Sequence, residues 1–208
     1  MPSCSSTTGS SSIIDSFNRA NETPLASPWT NIGPFTTNLV SNQAELAGLS
    51  YQKLSPTPGS HSVLTAKIDI GTGATTGYFH YLIVGSSSVG LGCESVFFGG
   101  DGTGIRWRAG VPSDSAPGYT TGLHTFTAGD TLEIVMTYVT ITAGEAVFDI
   151  DFKINGTTVR SVTNEALADH DAFSSGASQN WYCELPVGFQ AGGTGPRVAY
   201  DDFSAVWS

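Results

Sequence analysis

Apolar and polar positions alternate along much of this chain with the two-residue period of a β-strand. In Ser62–Ile70 (SVLTAKIDI), Leu64, Ala66, Ile68 and Ile70 share one face, and Thr65, Lys67 and Asp69 share the other. Glu145–Ile154 repeats the pattern over ten positions. Ala146, Phe148, Ile150, Phe152 and Ile154 face one way; Glu145, Val147, Asp149, Asp151 and Lys153 face the other. This segment runs into Asn155-Gly156, a dipeptide suited to a two-residue hairpin turn, so Thr157–Val162 is expected to return as its partner. Tyr78–Val84 (YFHYLIV) is apolar on both faces and predicts a central strand. Val96–Phe98 and Ile105–Arg108 flank the turn GGDGTG, and Thr131–Ile141, Trp181–Phe189 and Val198–Trp207 complete the set. Helical spacing is nearly absent. The best stretch is Asn164–His170, one or two turns with Asn164 as N-cap. Ten or more strands with tight turns and at most one short helix predict an all-β fold, a two-sheet antiparallel sandwich or a jelly roll.

Residues 1–12 (MPSCSSTTGSSS) lack this periodicity and read as a flexible arm, whereas residues 13–208 have one uniform texture and read as a single domain. A length of 208 residues suits one all-β domain, and 39% hydrophobic residues supply a core. The 25 glycines and 10 prolines agree with many turns. A net charge of −10 repels phosphate backbones and argues against nucleic-acid binding. Cys4, Cys93 and Cys183 are odd in number and widely spaced, which argues against a thiolate zinc site. Cys93 and Cys183 read as a single bridge or, preferably, as two small buried residues. The N-terminus has neither the basic nor the apolar region of a Sec signal, and no apolar run is long enough to span a membrane. The expectation is synthesis in the cytoplasm without a signal peptide.

Three stretches together resemble a known family. They are Asp15-Ser16-Phe17-Asn18-Arg19-Ala20-Asn21 followed by Leu25, Ser27 and Trp29; the strand and hairpin FDIDFKINGTTVRSV; and the C-terminal Asp201-Asp202-Phe203-Ser204-Ala205. This order resembles concanavalin-A-like (laminin-G/glucanase-type) jelly-roll domains, and more narrowly those of tailed-phage virion proteins. The resemblance implies that the first and last strands are neighbours. Phe17 and Phe203 would anchor that seam. Arg19 would close it against Asp15, Asp201 or Asp202, or else stand as a solvated surface cation.

Glycoside hydrolases of this fold carry an E-x-D-x-(x)-E run, and the nearest match here is Asp149-Ile150-Asp151. Their side chains would stand roughly 6.5–7 Å apart on one strand face, close to the roughly 5–5.5 Å of a retaining pair. Both are short aspartates, Lys153 occupies the third position, and a solvated outer face is the preferred reading. His61, His80, His124 and His170 form no HxH or HExxH pattern, and His80 is expected to be a satisfied core or sheet-face residue. The resemblance implies calcium as one option, with Asp101, Asp114 and Asp201-Asp202 as the acids nearest turns; they lack EF-hand spacing, and the preferred expectation is no metal and no cofactor. Sugar stacking needs exposed aromatics. Trp107, between Arg106 and Arg108, is expected in the core; Tyr119, Trp181 and Tyr182 are the preferred glycan-binding candidates, with Asp149 and Asp151 as polar companions.

These readings converge on a non-enzymatic virion protein of a tailed phage, a capsid decoration or minor tail protein. Its expected partners are other virion subunits in a homo-oligomer or symmetric array, and a host-surface glycan. The alternatives are a polysaccharide-cleaving enzyme of the same fold and a cellular carbohydrate-binding module.

Overall fold

A computed structural model describes residues 11–31, 36–46, 50–54, 62–71, 79–84, 96–100, 104–109, 119–121, 124–142, 145–167, 187–192 and 198–208. Fifteen strands are present among them. They are β1 (Ser11–Asp15), β2 (Thr30–Asn31), β3 (Thr37–Val40), β4 (Gln43–Leu46), β5 (Ser50–Leu54), β6 (Val63–Ile70), β7 (Phe79–Val84) and β8 (Val96–Gly100). There follow β9 (Ile105–Arg108), β10 (Tyr119–Thr121), β11 (Thr131–Thr142), β12 (Glu145–Ile154), β13 (Thr157–Leu167), β14 (Val187–Gly192) and β15 (Val198–Trp207). No helix occurs among the described residues.

The strands form two antiparallel sheets. One has eight strands in the order β13-β12-β11-β6-β15-β4-β3, with β1 also on β15; the other has seven in the order β10-β9-β8-β7-β14-β5-β2. The protein is thus an all-β jelly-roll sandwich. Alternation along β6 and β12 sends Leu64, Ala66, Ile68, Ile70, Phe148, Ile150, Phe152 and Ile154 into one core. From the other sheet, Leu82, Val84, Phe98, Trp107, Val187 and Phe189 meet them. Phe152 touches both Phe98 and Trp107, with ring centroids 5.3 Å and 5.6 Å away. Trp107 is buried, as its place between two arginines predicted, and the guanidinium of Arg160 lies over its ring at 4.6 Å.

The first and last strands are neighbours. β1 lies antiparallel on β15, with Asp15 opposite Phe203 and Ser11 opposite Trp207. Among the described residues, pairing is present from Ser11, two residues before the segment expected to enter the sandwich. β15 changes partner along its length. Val198–Tyr200 pairs β4 and Phe203–Trp207 pairs β1, with a bulge between Asp201 and Ser204 and a left-handed Asp202 (φ 41) at the break. A bulge bends a strand and adds twist, which lets one edge serve two partners in turn.

The expected helix over Asn164–His170 does not form where the chain is described, because Asn164–Leu167 continues β13. Leu167, Ala166 and Glu165 pair Ala146, Val147 and Phe148 across a ladder with a register shift, and Asn164 takes the left-handed conformation (φ 54) there. A helix of one or two turns is marginal alone, and the length of β12 offers ladder bonds instead. Residues 168–170 lie outside the described residues, as do 181–186 of the expected Trp181–Phe189 strand.

Candidate functional site

Much of the polar chemistry in the opening motif is architectural. The Asp15 carboxylate is buried and accepts three hydrogen bonds, from the Phe17 backbone N–H at 2.8 Å, the Trp29 indole Nε1–H at 2.7 Å, and Arg19. Arg19 also donates through Nε to Glu22 Oε1 at 2.8 Å, and the Ala26 N–H donates to Glu22 Oε2 at 2.9 Å. Glu22 is held below the usual carboxylate range, first by its Arg19 hydrogen bond and then by Ala26. The partners of Arg19 are therefore Asp15 and Glu22, not Asp201 or Asp202. A local loop brings the nearer acids to it, while Asp202 sits exposed on the β15 bulge. Asn21 completes the motif by accepting the Ser41 N–H at 3.1 Å, which caps the turn between β3 and β4. Ser41 and Asn42 both have positive φ there, as a type I′ hairpin requires. Phe17 and Phe203 meet through intermediaries. Trp29 lies 5.9 Å from Phe17, 4.9 Å from Phe203 and 4.8 Å from Phe189 of the opposite sheet.

The Asp149/Asp151 pair lies on the outer face of the eight-stranded sheet and is engaged by β13. The Ser161 hydroxyl donates to Asp151 Oδ1 at 2.5 Å, and the Asn164 backbone N–H donates to Asp149 Oδ1 at 2.9 Å. On the same face, Lys67 and Lys153 flank Glu133 at 3.0 Å and 3.2 Å. Asp201 stands opposite Asp69 in register, and burial, with Asp202 and Asp69 nearby, pushes its carboxyl above the usual range. No group of three His, Cys, Asp or Glu side chains suited to a metal occurs among the described residues.

Two histidines have unlike settings. His124 Nε2 is 3.0 Å from Asp130 Oδ2, and Asp130 also accepts from Asn155 Nδ2 at 2.8 Å and the Thr127 N–H at 2.8 Å. Burial pushes the Asp130 carboxyl up, but these hydrogen bonds prevail and hold it low. The node ties the Asn155-Gly156 turn to the loop before β11. His80 is buried between Tyr200 and Phe126, and neither ring nitrogen has a hydrogen-bond partner. It is a core residue, but not the satisfied one expected. Burial alone lowers its pKa to about 4.

The seven-stranded sheet carries a feature that the sequence reading missed. Tyr81, Ile83 and Phe97 form a second apolar cluster, offset by one residue from the core-facing His80, Leu82 and Phe98. They therefore lie on the outer face of the sheet. The register extends this face sideways. Ile83 is level with Phe97 and Phe97 with Arg108; Tyr81 is level with Gly99 and Gly99 with Arg106. On the other side, Gln190 is level with Tyr81 and Lys53 with Gly188. Gly99 is obligatory, since a Cβ there would meet the His80 carbonyl oxygen at 1.6 Å. The strands of this sheet contain no Asp or Glu, and their charged residues are Lys53, Arg106 and Arg108. The clue was present in YFHYLIV and VFF, runs without polar alternation that mark strands covered on both faces.

Among the described residues, the glycan-binding candidates fall on different sheets. Asp149 and Asp151 belong to the eight-stranded sheet, whereas Tyr119 starts β10, at the edge of the other sheet and opposite Trp107. Trp181 and Tyr182 lie outside the described residues, as do Asp101, Asp114, His61, His170 and all three cysteines.

No protein-family model matches the chain, and no curated protein matches it in sequence. Solved structures do match in shape. A metal-free carbohydrate recognition domain of Emp46p superposes with a TM-score of 0.57 at 8% identity, over 93% of this chain and 94% of that one. The CBM2 module of the evolved Dit protein of Lactobacillus casei BL23 phage J-1 gives 0.51 at 11% identity, over 95% and 96%. The catalytic domain of a Thermotoga petrophila endo-1,3-β-glucanase (laminarinase) gives 0.52 at 10% identity, over 94% and 96%. At such identities the likeness is one of fold.

Proposed function

We propose that this protein is a non-catalytic, glycan-binding sandwich domain of a tailed-phage virion. The observation that carries the reading is where the carboxylates lie. Glycoside cleavage by the general route needs two acids flanking one bond. The aligned pair on β12 is engaged in cross-strand bonds to β13, and the strands of the seven-stranded sheet have no acid at all. Among the described residues, one sheet has an acidic face paired across its strands, and the other sheet's strands are acid-free. The shape match to the phage J-1 module, nearly end to end in both chains, supports the virion setting, as does the resemblance of the opening motif.

A polysaccharide-cleaving enzyme is the second reading, favoured by the shape match to the laminarinase catalytic domain. A panel of β-glucans, galactans, arabinans and acidic polysaccharides, screened for retention on affinity gels and for released reducing ends, separates the two. Retention without turnover is expected. Turnover abolished by Asp149→Asn with Asp151→Asn would establish the enzyme. Antibody labelling of phage particles by electron microscopy tests the setting, and absence of label on intact particles would sink it.

A further inference from the structure

We propose that Asn155 is a one-way covalent switch: its side-chain amide, clamped by Asp130 and Thr131, deamidates when that clamp opens and then unlatches the turn between β12 and β13. Asn155 is the one asparagine of the chain that precedes a glycine. Both residues of the turn are exposed, with φ of 51 at Asn155 and 75 at Gly156. Glycine has no side chain to shield its backbone nitrogen, and a Cβ built on Gly156 would meet no heavy atom within 4 Å. That nitrogen is the nucleophile, and the Asn155 Cγ is its target. The N–Cγ bond forms as the Cγ–Nδ2 bond breaks, and Nδ2 leaves as ammonia with the proton from the Gly156 nitrogen. The succinimide ring then takes up one water and opens at either carbonyl, to aspartate or to isoaspartate. Water is the one co-reactant, and nothing is oxidised or reduced.

The fold sets when this happens, because the Asn155 amide is held at both ends. Its Nδ2 donates to Asp130 Oδ1 at 2.8 Å, and its Oδ1 accepts the Thr131 N–H at 2.8 Å. Cγ cannot swing onto Gly156 without giving up these bonds, so the reaction waits for a local opening. Asp130 is itself fixed by the Thr127 N–H at 2.8 Å and by His124 at 3.0 Å. The product does not fit the clamp. A carboxylate only accepts, so an oxygen would face Asp130 where a donor had stood, and two carboxylates at that range repel. A further acid is close, since the Thr131 hydroxyl donates to Asp69 at 2.6 Å. Isoaspartate also adds a backbone carbon to the two-residue turn that closes the Ile154–Thr157 pair. Either product strains the bond from the Asn155 N–H to the Thr131 carbonyl, 3.0 Å long, that ties the turn to the start of β11.

The test incubates the full chain at pH 8.5 and 37 °C, folded or in urea concentrated enough to unfold it. Mass spectrometry of the peptide spanning Asn155 follows conversion of amide to acid. Conversion is expected to be at least tenfold slower in the folded chain than in urea. Asp130→Ala should speed it at least fivefold while circular dichroism still shows the fold. Equal rates in folded and unfolded chains, or in Asp130→Ala and the parent, overturn the clamp, and no conversion even in urea removes the site. Should Asp130→Ala fail to fold, the comparison in urea on the unaltered chain decides. Asn155→Asp tests the consequence. It should lower the melting temperature and speed hydrogen exchange at the Thr131 N–H, and adding Asp130→Asn should restore both in part. A melting temperature unchanged by Asn155→Asp, or not restored by Asp130→Asn, overturns the switch.

Discussion

The two sheets share one core but treat their outer faces differently. On the eight-stranded sheet the outer face is closed upon itself. Glu133 holds two lysines, Asp151 and Asp149 accept from β13, and Thr131 donates to Asp69 at 2.6 Å. Such a face satisfies these charges locally. On the seven-stranded sheet the outer face buries Tyr81, Ile83 and Phe97, and its strands hold no acid. An antiparallel sheet can leave one face to water, and a face that is apolar instead belongs to a strand covered on both sides, as these three buried side chains are. The polar face is thus bonded within its own sheet, whereas the acid-poor face holds a second cluster already buried in the fold.

Phe98→Ala and Phe97→Ala put the comparison under the heaviest load, because neighbours in sequence serve opposite faces. Truncation in the main core is expected to cost about 3–5 kcal/mol, and Phe97→Ala about 3 kcal/mol because its cluster is smaller. Denaturant unfolding measures both. A cost below about 1 kcal/mol for Phe97→Ala would mean that the outer cluster does not contribute as a second core. The seam belongs to the same scale. Phe17→Ala and Phe203→Ala should each cost about 3–5 kcal/mol. They should couple in a double-mutant cycle, because both pack on Trp29 and Phe189. Strict additivity would show that the aromatic cluster does not act as one unit.

His80 supplies the next effect, and its sign is fixed. The folded pKa, about 4, lies below the ordinary 6.5, so the unfolded chain binds the extra proton between those values. Stability is complete above pH 6.5 and falls as the pH drops toward 4, by about 3 kcal/mol in all. His80→Leu removes two unpaired nitrogens. It should flatten the melting temperature between pH 6.5 and 4 without lowering it at pH 7. An unchanged acid profile in that variant would place the titration elsewhere.

Smaller still is Asp15→Ala, at about 1–3 kcal/mol, because it strands the Trp29 indole and Phe17 amide donors. Asp15→Asn should cost less, since an amide oxygen retains one acceptor. The smallest effect is expected on the closed face. Asp149→Asn and Asp151→Asn should each stay within about 0.5 kcal/mol and leave glycan retention unchanged. A loss of retention in either would place the binding surface on the eight-stranded sheet.

Strand identity was legible in the residues wherever one face is wet. β6, β12 and the Asn155-Gly156 turn could be read directly, because a half-buried strand must alternate and a type I′ turn demands residues tolerant of positive φ. The adjacency of first and last strands was legible only through resemblance. Three things were left open or missed. Of the three acids the sequence offered it, Arg19 took Asp15, and it added Glu22, which had not been named. β15 split its edge between β4 and β1 at the Asp202 bulge. Tyr81, Ile83 and Phe97 closed into a cluster of their own. Each is a contact between segments far apart in the chain, or a choice among chemically equal partners. Period and propensity act over a few residues and assign a side chain to a face. Which strand lies alongside, and therefore which face stays acidic and which turns apolar, is decided only when loop closure and packing select one sheet order.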